Sequence, residues 1–169
     1  MVTASHTKAG VCNRPVGVGE LAVSRDRWET LVTYSLGSCV GLTVFDPVVG
    51  VAGLLHAQLP SSRMDTKRAE HEPGRFTDSG VMALLERVFA LGASRRNLIA
   101  KAAGGSSLLD EQRRFRIGER NVAILRKILW KNDIPLAASD FGGNRSRTLY
   151  LHVTDGRVQM RSDNQLRDF

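Results

Sequence analysis

The alternation of apolar and polar positions predicts strands along most of the chain. Residues 40–45 and 51–56 are rich in apolar and β-branched side chains, and Pro47 and Gly50 between them supply turn chemistry. Residues 148–154 alternate apolar with polar side chains, which is typical of a strand with one buried face. Together with shorter apolar segments, this pattern predicts about eight strands.

Two segments instead carry apolar residues at the spacing of one helix face. The helix predicted over residues 77–91 has a buried stripe made of Val81, Leu84, Leu85, Val88 and Phe89. The helix predicted over residues 118–131 has a stripe made of Val122, Leu125, Ile128 and Leu129. The polar segment 60–75 is predicted to be a long loop, and such loops often act as lids. Helices interspersed among many strands predict an α+β fold.

The composition suits one soluble domain, since 42% of the 169 residues are hydrophobic and 24% are charged. Residues 1–15 are polar and mixed, so we expect a flexible leader there and a single domain over residues 16–169. No apolar run approaches the roughly 18 residues of a membrane span, and the N-terminus lacks the apolar stretch of a signal peptide. We therefore expect a cytoplasmic protein without membrane insertion.

The net charge of +7 indicates an acidic partner, either protein carboxylates or nucleic acid. Aromatic residues make up only 6% of the chain and no groove-reading motif is present, which argues against nucleic acid. Two cysteines, Cys12 and Cys39, are too few for a disulfide framework, and a reducing compartment keeps both as thiols.

Cys39 and His56 are the candidate reactive pair, because a nearby imidazole can serve as the base for a thiol nucleophile. If Phe45 pairs with Gly50 across the hairpin, Cys39 lies directly opposite His56, and such Cβ atoms are about 4.5–5.5 Å apart. A slip of one residue would place the two side chains on opposite faces. The Gly37–Ser38 dipeptide leaves room for a substrate carbonyl to approach the backbone.

Two other interpretations of these residues remain open. A single cysteine in a strand often serves only as a small core residue. A zinc site needs three or four ligands at suitable spacing, and the sequence near Cys39 and His56 offers no further Cys or His pair. We therefore expect no metal and no other cofactor.

Several short motifs occur here in the order and spacing of one known family. They are Thr33-x-x-Leu-Gly-Ser-Cys39, His56, Ala103-Gly-Gly105, Ile117-Gly-x-Arg-Asn121 and Gly142-Gly-Asn-x-x-Arg147. Over residues 16–161 the chain therefore resembles the CheD family, the chemoreceptor glutamine deamidases of bacterial and archaeal chemotaxis. One departure is Phe76, where the family often has Tyr, so that a hydroxyl is missing.

The resemblance implies a layered α/β sandwich of packed mixed or antiparallel sheets with about two to three helices on one side, as in glutamine-deamidating toxins. It implies hydrolysis of particular glutamines on the cytoplasmic helices of chemoreceptors, which yields glutamate and ammonia. By position, Cys39 matches the family's nucleophile, His56 its base and Thr33 its third catalytic residue. Some members of the family also bind the phosphatase CheC.

In the mechanism that we expect, His56 takes the thiol proton of Cys39, and backbone groups around Gly37 and Ser38 hold the oxyanion. Thr33 orients His56 by accepting its other ring N–H. No residue is assigned to substrate binding. The alternative function is a regulatory binding module that engages CheC or chemoreceptors without turnover.

Overall fold

The computed structural model describes residues 11–107 and 115–169, which contain ten strands and three α-helices. The strands are β1 (Cys12–Pro15), β2 (Leu21–Ser24), β3 (Glu29–Leu36), β4 (Val40–Asp46), β5 (Val51–Ala57), β6 (Ile99–Gly104), β7 (Leu136–Phe141), β8 (Arg147–His152), β9 (Val158–Ser162) and β10 (Gln165–Asp168). The helices are α1 (Thr66–His71), α2 (Thr77–Ala90) and α3 (Ile117–Lys131). Short 3-10 turns occupy Ser62–Met64, Pro73–Arg75 and Arg95–Asn97.

The ten strands form two mixed sheets of five strands each. The first sheet has the order β1-β3-β8-β9-β10, in which β1 runs parallel to β3 and the other neighbours are antiparallel. The second sheet has the order β2-β5-β4-β6-β7, in which β6 runs parallel to β7 and the other neighbours are antiparallel. The hairpin of β4 and β5 therefore lies in the middle of the second sheet.

Two apolar cores hold the layers together. The core between the two sheets includes Leu31, Leu36, Phe45, Leu54, Leu149, Leu151 and Met160. The core between the second sheet and the helices includes Leu42, Val44, Leu55, Leu84, Val88, Leu125 and Leu129. Helices α2 and α3 thus cover the outer face of the second sheet. This layered α+β sandwich, with its helices on one side, confirms the predicted fold class.

The two long helices follow the apolar stripes of the sequence. The helices predicted over residues 77–91 and 118–131 are observed at Thr77–Ala90 and Ile117–Lys131. Gly53 on β5 lets α2 come close, because a Cβ there would lie 2.9 Å from a methyl group of Leu84. The predicted stripes were therefore the faces that pack on the second sheet.

The segment 60–75 is not the structureless loop that we expected, because it contains α1 and two 3-10 turns. The carboxylate of Asp65 caps α1 by accepting the N–H of Arg68 at 3.0 Å. The carboxylate of Asp78, on α2, accepts the N–H of Ser62 at 2.8 Å and anchors the segment. Polar caps rather than an apolar stripe define these short elements, and apolar periodicity therefore misses them.

Residues 12–15, at the end of the expected leader, form the edge strand β1 and pair with residues 29–32 of β3. Residues 1–10 lie outside the described residues, so the flexible leader and the domain boundary after residue 15 stay predictions. Within the part of the chain that the structure describes, no helix is long and apolar enough to cross a membrane.

The register of the β4–β5 hairpin differs from the predicted one by two residues. Asp46 pairs with Val51, whereas we expected Phe45 to pair with Gly50. Gly50 belongs to the turn, since its φ is +65° and its N–H donates to the Asp46 carbonyl at 2.9 Å. The Asp46 carboxylate also accepts the N–H of Val48 at 2.8 Å. Asp46 therefore ends the strand and organises the turn, which the sequence pattern did not show.

Candidate active site

The candidate site lies between the two sheets, where β4 begins and β5 ends. His56 pairs with Gly41 rather than with Cys39, which corrects the predicted direct opposition. Cys39 directly precedes β4, and it enters the layer between the sheets, the same layer in which His56 contacts Thr33 of the facing sheet. The thiol is partly buried and packs against the core between the sheets. The missing side chain of Gly41 lets Leu36 pack closely over the strand, because a Cβ there would lie 2.7 Å from a methyl group of Leu36.

Thr33, on β3 of the facing sheet, contacts His56 directly. Its Oγ1 lies 2.7 Å from His56 Nδ1 and 2.8 Å from the carbonyl oxygen of Val16. A carbonyl can only accept, so the hydroxyl donates to Val16 and accepts from Nδ1–H. This hydrogen-bond network assigns the proton of His56 to Nδ1 and leaves a lone pair on Nε2.

A β-bulge interrupts the pairing of β3 with β8 directly after Thr33. Strand β3 pairs Thr33 with Leu149 but Leu36 with Arg147, so β3 carries one residue more than β8 over this stretch. Within the bulge, Ser35 takes a left-handed conformation with φ +57°. The regular pairing of β3 is therefore interrupted directly after the residue that contacts His56, and it resumes at Leu36.

Burial makes both members of the candidate pair neutral at pH 7. His56 is only 1% exposed, and burial lowers its pKa from 6.5 to about 4. Burial also raises the pKa of the Cys39 thiol above 9.0, against a smaller lowering by its own backbone N–H. Nε2 of His56 is buried without a hydrogen-bond partner among the described residues. The structure thus places a neutral thiol and a neutral imidazole in the layer between the sheets, with no hydrogen bond between them.

The free energy of unfolding should fall as the pH drops from 6.5 toward 4. In this window the unfolded chain binds a proton at His56 that the folded protein excludes, so the difference in pKa corresponds to a loss of about 3 kcal/mol at pH 4. Urea unfolding measured between about pH 7 and pH 4 tests this slope. His56→Gln should remove most of it, and an unchanged slope in that variant would assign it to other groups.

Residues 104–106 hold the loop that carries the thiol. The N–H of Ser106 donates to the carbonyl of Gly37, and the N–H of Gly105 donates to the carbonyl of Cys39, each at 2.8 Å. Gly104 has a φ of +118°, and a Cβ there would lie 2.1 Å from the Cys39 oxygen. The Ala-Gly-Gly motif therefore needs glycine at residue 104, because any side chain there would collide with the backbone of the loop. The sequence analysis did not predict Ser106 as a site residue. Its buried hydroxyl has no hydrogen-bond partner among the described residues.

Asn121, on α3, ties the same loop to the end of β5. Its Nδ2 donates to the carbonyls of Ser38 at 2.9 Å and Gln58 at 3.0 Å, and its Oδ1 accepts the hydroxyl of Thr77 at 3.0 Å. The N–H groups of Ser38 and Cys39, by contrast, donate to no oxygen among the described residues, and the Cys39 N–H interacts with its own thiol. The sequence signalled Asn121 only as a motif residue, because its partners come from three distant segments.

No group of three or more His, Cys, Asp and Glu side chains that could hold a metal ion occurs in residues 11–107 and 115–169.

The fold and the site together define a class of protein: an α+β sandwich with a candidate thiol–imidazole site between its sheets. The family described as CheD chemotactic sensory transduction matches residues 58–162, a region that begins two residues after His56. Relatives named CheD align over most of the chain. The chain belongs to the CheD family.

Three of these relatives show how close the likeness is. A probable chemoreceptor glutamine deamidase CheD of Solibacter usitatus is 44% identical over 90% of this chain and 90% of its own length. The corresponding protein CheD 1 of Syntrophus aciditrophicus is 41% identical over 87% of this chain and 92% of its own. The Pyrococcus horikoshii protein of the same name is 43% identical over 86% and 90%, respectively.

Among solved structures, the Bacillus licheniformis hypothetical protein YfiH is similar with a TM-score of 0.46 and 13% identity. The match covers 80% of this chain and 61% of that chain. A likeness this distant bears on neither the fold nor the function.

Proposed function

We propose that this protein deamidates glutamine side chains of chemoreceptors by a thiol mechanism. The relatives are named as probable chemoreceptor glutamine deamidases, which supports the reaction. The observation that carries the mechanism is the tautomer of His56: Thr33 holds its Nδ1–H, and Nε2 keeps a lone pair in the layer between the sheets that Cys39 also enters. A base so placed can take the proton of a thiol nucleophile.

The proposed reaction passes through a thioester. Nε2 of His56 removes the Sγ proton of Cys39, and the sulfur forms a bond to the carboxamide carbon while the carbonyl electrons move to oxygen. His56 then protonates the amide nitrogen, the C–N bond breaks, and ammonia leaves. A water molecule, deprotonated by His56, attacks the thioester carbon. Cleavage of the C–S bond yields the glutamate side chain and returns the proton to the thiol.

The neutral state of both groups determines how the thiolate forms. Because burial opposes charge on Cys39 and on His56, an ion pair is not the resting state, and the proton moves during the attack on the substrate. Thr33 orients the imidazole through a neutral hydroxyl, which stabilises an imidazolium less than a carboxylate would. Much of the rate enhancement therefore has to come from the oxyanion donors of the loop that carries Cys39.

The proposed substrate is a helix of the chemoreceptor cytoplasmic domain, and the protein is proposed to act in the cytoplasm. The net charge of +7 would favour approach to the acidic surface of such a helix. CheC is a proposed partner, as for some members of the family. A purified chemoreceptor fragment is therefore the substrate to test, and CheC is the partner to test.

The test is incubation of the purified protein with a chemoreceptor cytoplasmic fragment, followed by ammonia determination and peptide mass spectrometry. We expect particular glutamines to become glutamates with an equal amount of ammonia released. A fragment whose reactive glutamines are replaced by asparagine serves as the control and should release none. Absence of conversion in several receptor fragments, with folded protein, would overturn the proposed activity and favour the binding module.

A further inference from the structure

The peptide between Ser38 and Cys39 is held on one side only. Its carbonyl, that of Ser38, accepts Nδ2 of Asn121 at 2.9 Å. Its N–H, that of Cys39, donates to no oxygen among the described residues and interacts with the adjacent Cys39 thiol. This asymmetry is unusual for a partly buried segment, because backbone donors away from water are normally paired. An N–H that has no oxygen acceptor and lies directly beside a candidate nucleophile is the group that an oxyanion needs.

We propose that Asn121 is a positioning residue that aims the Cys39 N–H at the developing oxyanion. A peptide unit is planar, and the structure contains no cis peptide bond among its described residues, so the Ser38 carbonyl and the Cys39 N–H point in opposite directions. Fixing the carbonyl against Asn121 therefore fixes the N–H away from it. The inference rests on the proposed thiol mechanism and adds to it the residue that sets the oxyanion donor.

Asn121 can perform this role because it is itself firmly held. It is fully buried, and its Oδ1 accepts the hydroxyl of Thr77 at 3.0 Å. The first turn of α3 packs tightly on the segment beside the loop, since a Cβ at Gly118 would lie 2.6 Å from the carbonyl oxygen of Gly105. An amide anchored in this way keeps the peptide from rotating when charge develops on the substrate oxygen.

The second hydrogen bond that Asn121 donates reaches the segment next to the base, His56. Nδ2 also donates to the carbonyl of Gln58, two residues after His56, at 3.0 Å. One side chain thus links the loop that carries the nucleophile to the strand that carries the base. Loss of Asn121 should therefore affect acyl transfer, which develops an oxyanion, more than a reaction of the thiol that develops none.

The test compares two reactions of Cys39 in a Cys12→Ala background, so that the exposed second thiol does not contribute. Acylation by p-nitrophenyl acetate passes through a tetrahedral oxyanion, whereas alkylation by iodoacetamide does not. In Asn121→Leu we expect acylation to slow by about 10²-fold and alkylation to stay within about threefold of the parent. Asn132→Leu, which changes an asparagine at the other end of α3 whose Nδ2 donates to the carbonyl of Ile128, is the matched control and should keep acylation within about threefold of the parent.

Equal losses of acylation and alkylation in Asn121→Leu, or no loss of either, would overturn the proposal. Asn121→Ser is the second variant, because a small polar side chain cannot reach Ser38 and leaves room for water if the leucine variant does not fold. It should show the same selective loss of acylation, and full acylation by the folded serine variant would also overturn the proposal. Acylation without any receptor deamidation would contradict the proposed function and leave the role of Asn121 intact.

Discussion

Cys39→Ala is expected to reduce deamidation of a receptor fragment by at least about 10³-fold, because no other group in the proposed site can form the thioester. Alanine keeps most of the packing of the small, partly buried thiol against the core between the sheets. The loss should therefore appear in kcat, with little change in the thermal midpoint. Ammonia release by wild type and variant at equal concentration of folded protein measures it.

Cys12→Ala is the matched control for this experiment. Cys12 is the other thiol of the chain, and it is exposed on the edge strand β1. Its removal should leave deamidation within about twofold of wild type, since a surface substitution far from the reacting atoms changes little. A large loss in the Cys12 variant would contradict the assignment of the nucleophile to Cys39.

The same variant separates the enzyme from the binding module. If receptor or CheC binding is intact in Cys39→Ala while ammonia release is lost, the thiol acts in turnover, and binding uses other residues. If Cys39→Ala deamidates at the wild-type rate, the thiol mechanism is wrong. If the wild type does not deamidate and the variant retains the full effect on receptor signalling, the protein acts by binding.

Most strands, the two long helices and the α+β class were predictable, because each depends on local apolar periodicity. The structure describes ten strands where about eight were predicted, and every residue of β1 and of β10 is exposed, so periodicity gives no signal for these two. Val81, Leu84 and Val88 follow one another at helical spacing, and in the structure they form one face of α2. Helix α1 could not be predicted in this way, because it has no buried residue and depends on a cap from Asp65. Periodicity records burial, and α1 buries nothing.

The geometry of the candidate site was less predictable, because it depends on contacts between distant segments. The hairpin register required knowing that Asp46 organises the turn, and a shift of two residues removed the direct opposition of Cys39 and His56. The tautomer of His56 depends on Thr33 and Val16, which lie on other parts of the fold. No local pattern carries information of this kind.

The second large effect that we expect is on the free energy of unfolding, and it concerns the buried side chain of Arg147. It is 2% exposed, and its guanidinium bonds the carboxylate of Asp140, with Nε at 3.0 Å from Oδ1. Asp140 lies on β7 of the second sheet and Arg147 on β8 of the first, so the ion pair joins the two sheets. The exposed side chains of Arg145 and Arg167 bind the same carboxylate from the surface.

Asp140→Ala is expected to lower the free energy of unfolding by about 3–5 kcal/mol, because it leaves the buried Arg147 charge without its partner. Although burial alone raises the pKa of Asp140, hydrogen bonds from Arg147 and then Arg145 bring it below 3.8. The carboxylate is therefore charged, and the pair intact, above that pH. Its contribution is lost only as the pH falls through the lowered pKa, below the window in which His56 titrates.

Arg167→Met is the matched control, since it removes an exposed arginine from the same carboxylate and should cost less than about 1 kcal/mol. Arg147→Met should also cost less than Asp140→Ala, because Asp140 then keeps two arginine partners while the methionine occupies the apolar space. Urea unfolding of the three variants at pH 7 orders these effects. Equal losses of unfolding free energy in Asp140→Ala and Arg167→Met would contradict this prediction. They would show that pairing the buried Arg147 charge adds no more stability than an exposed arginine does.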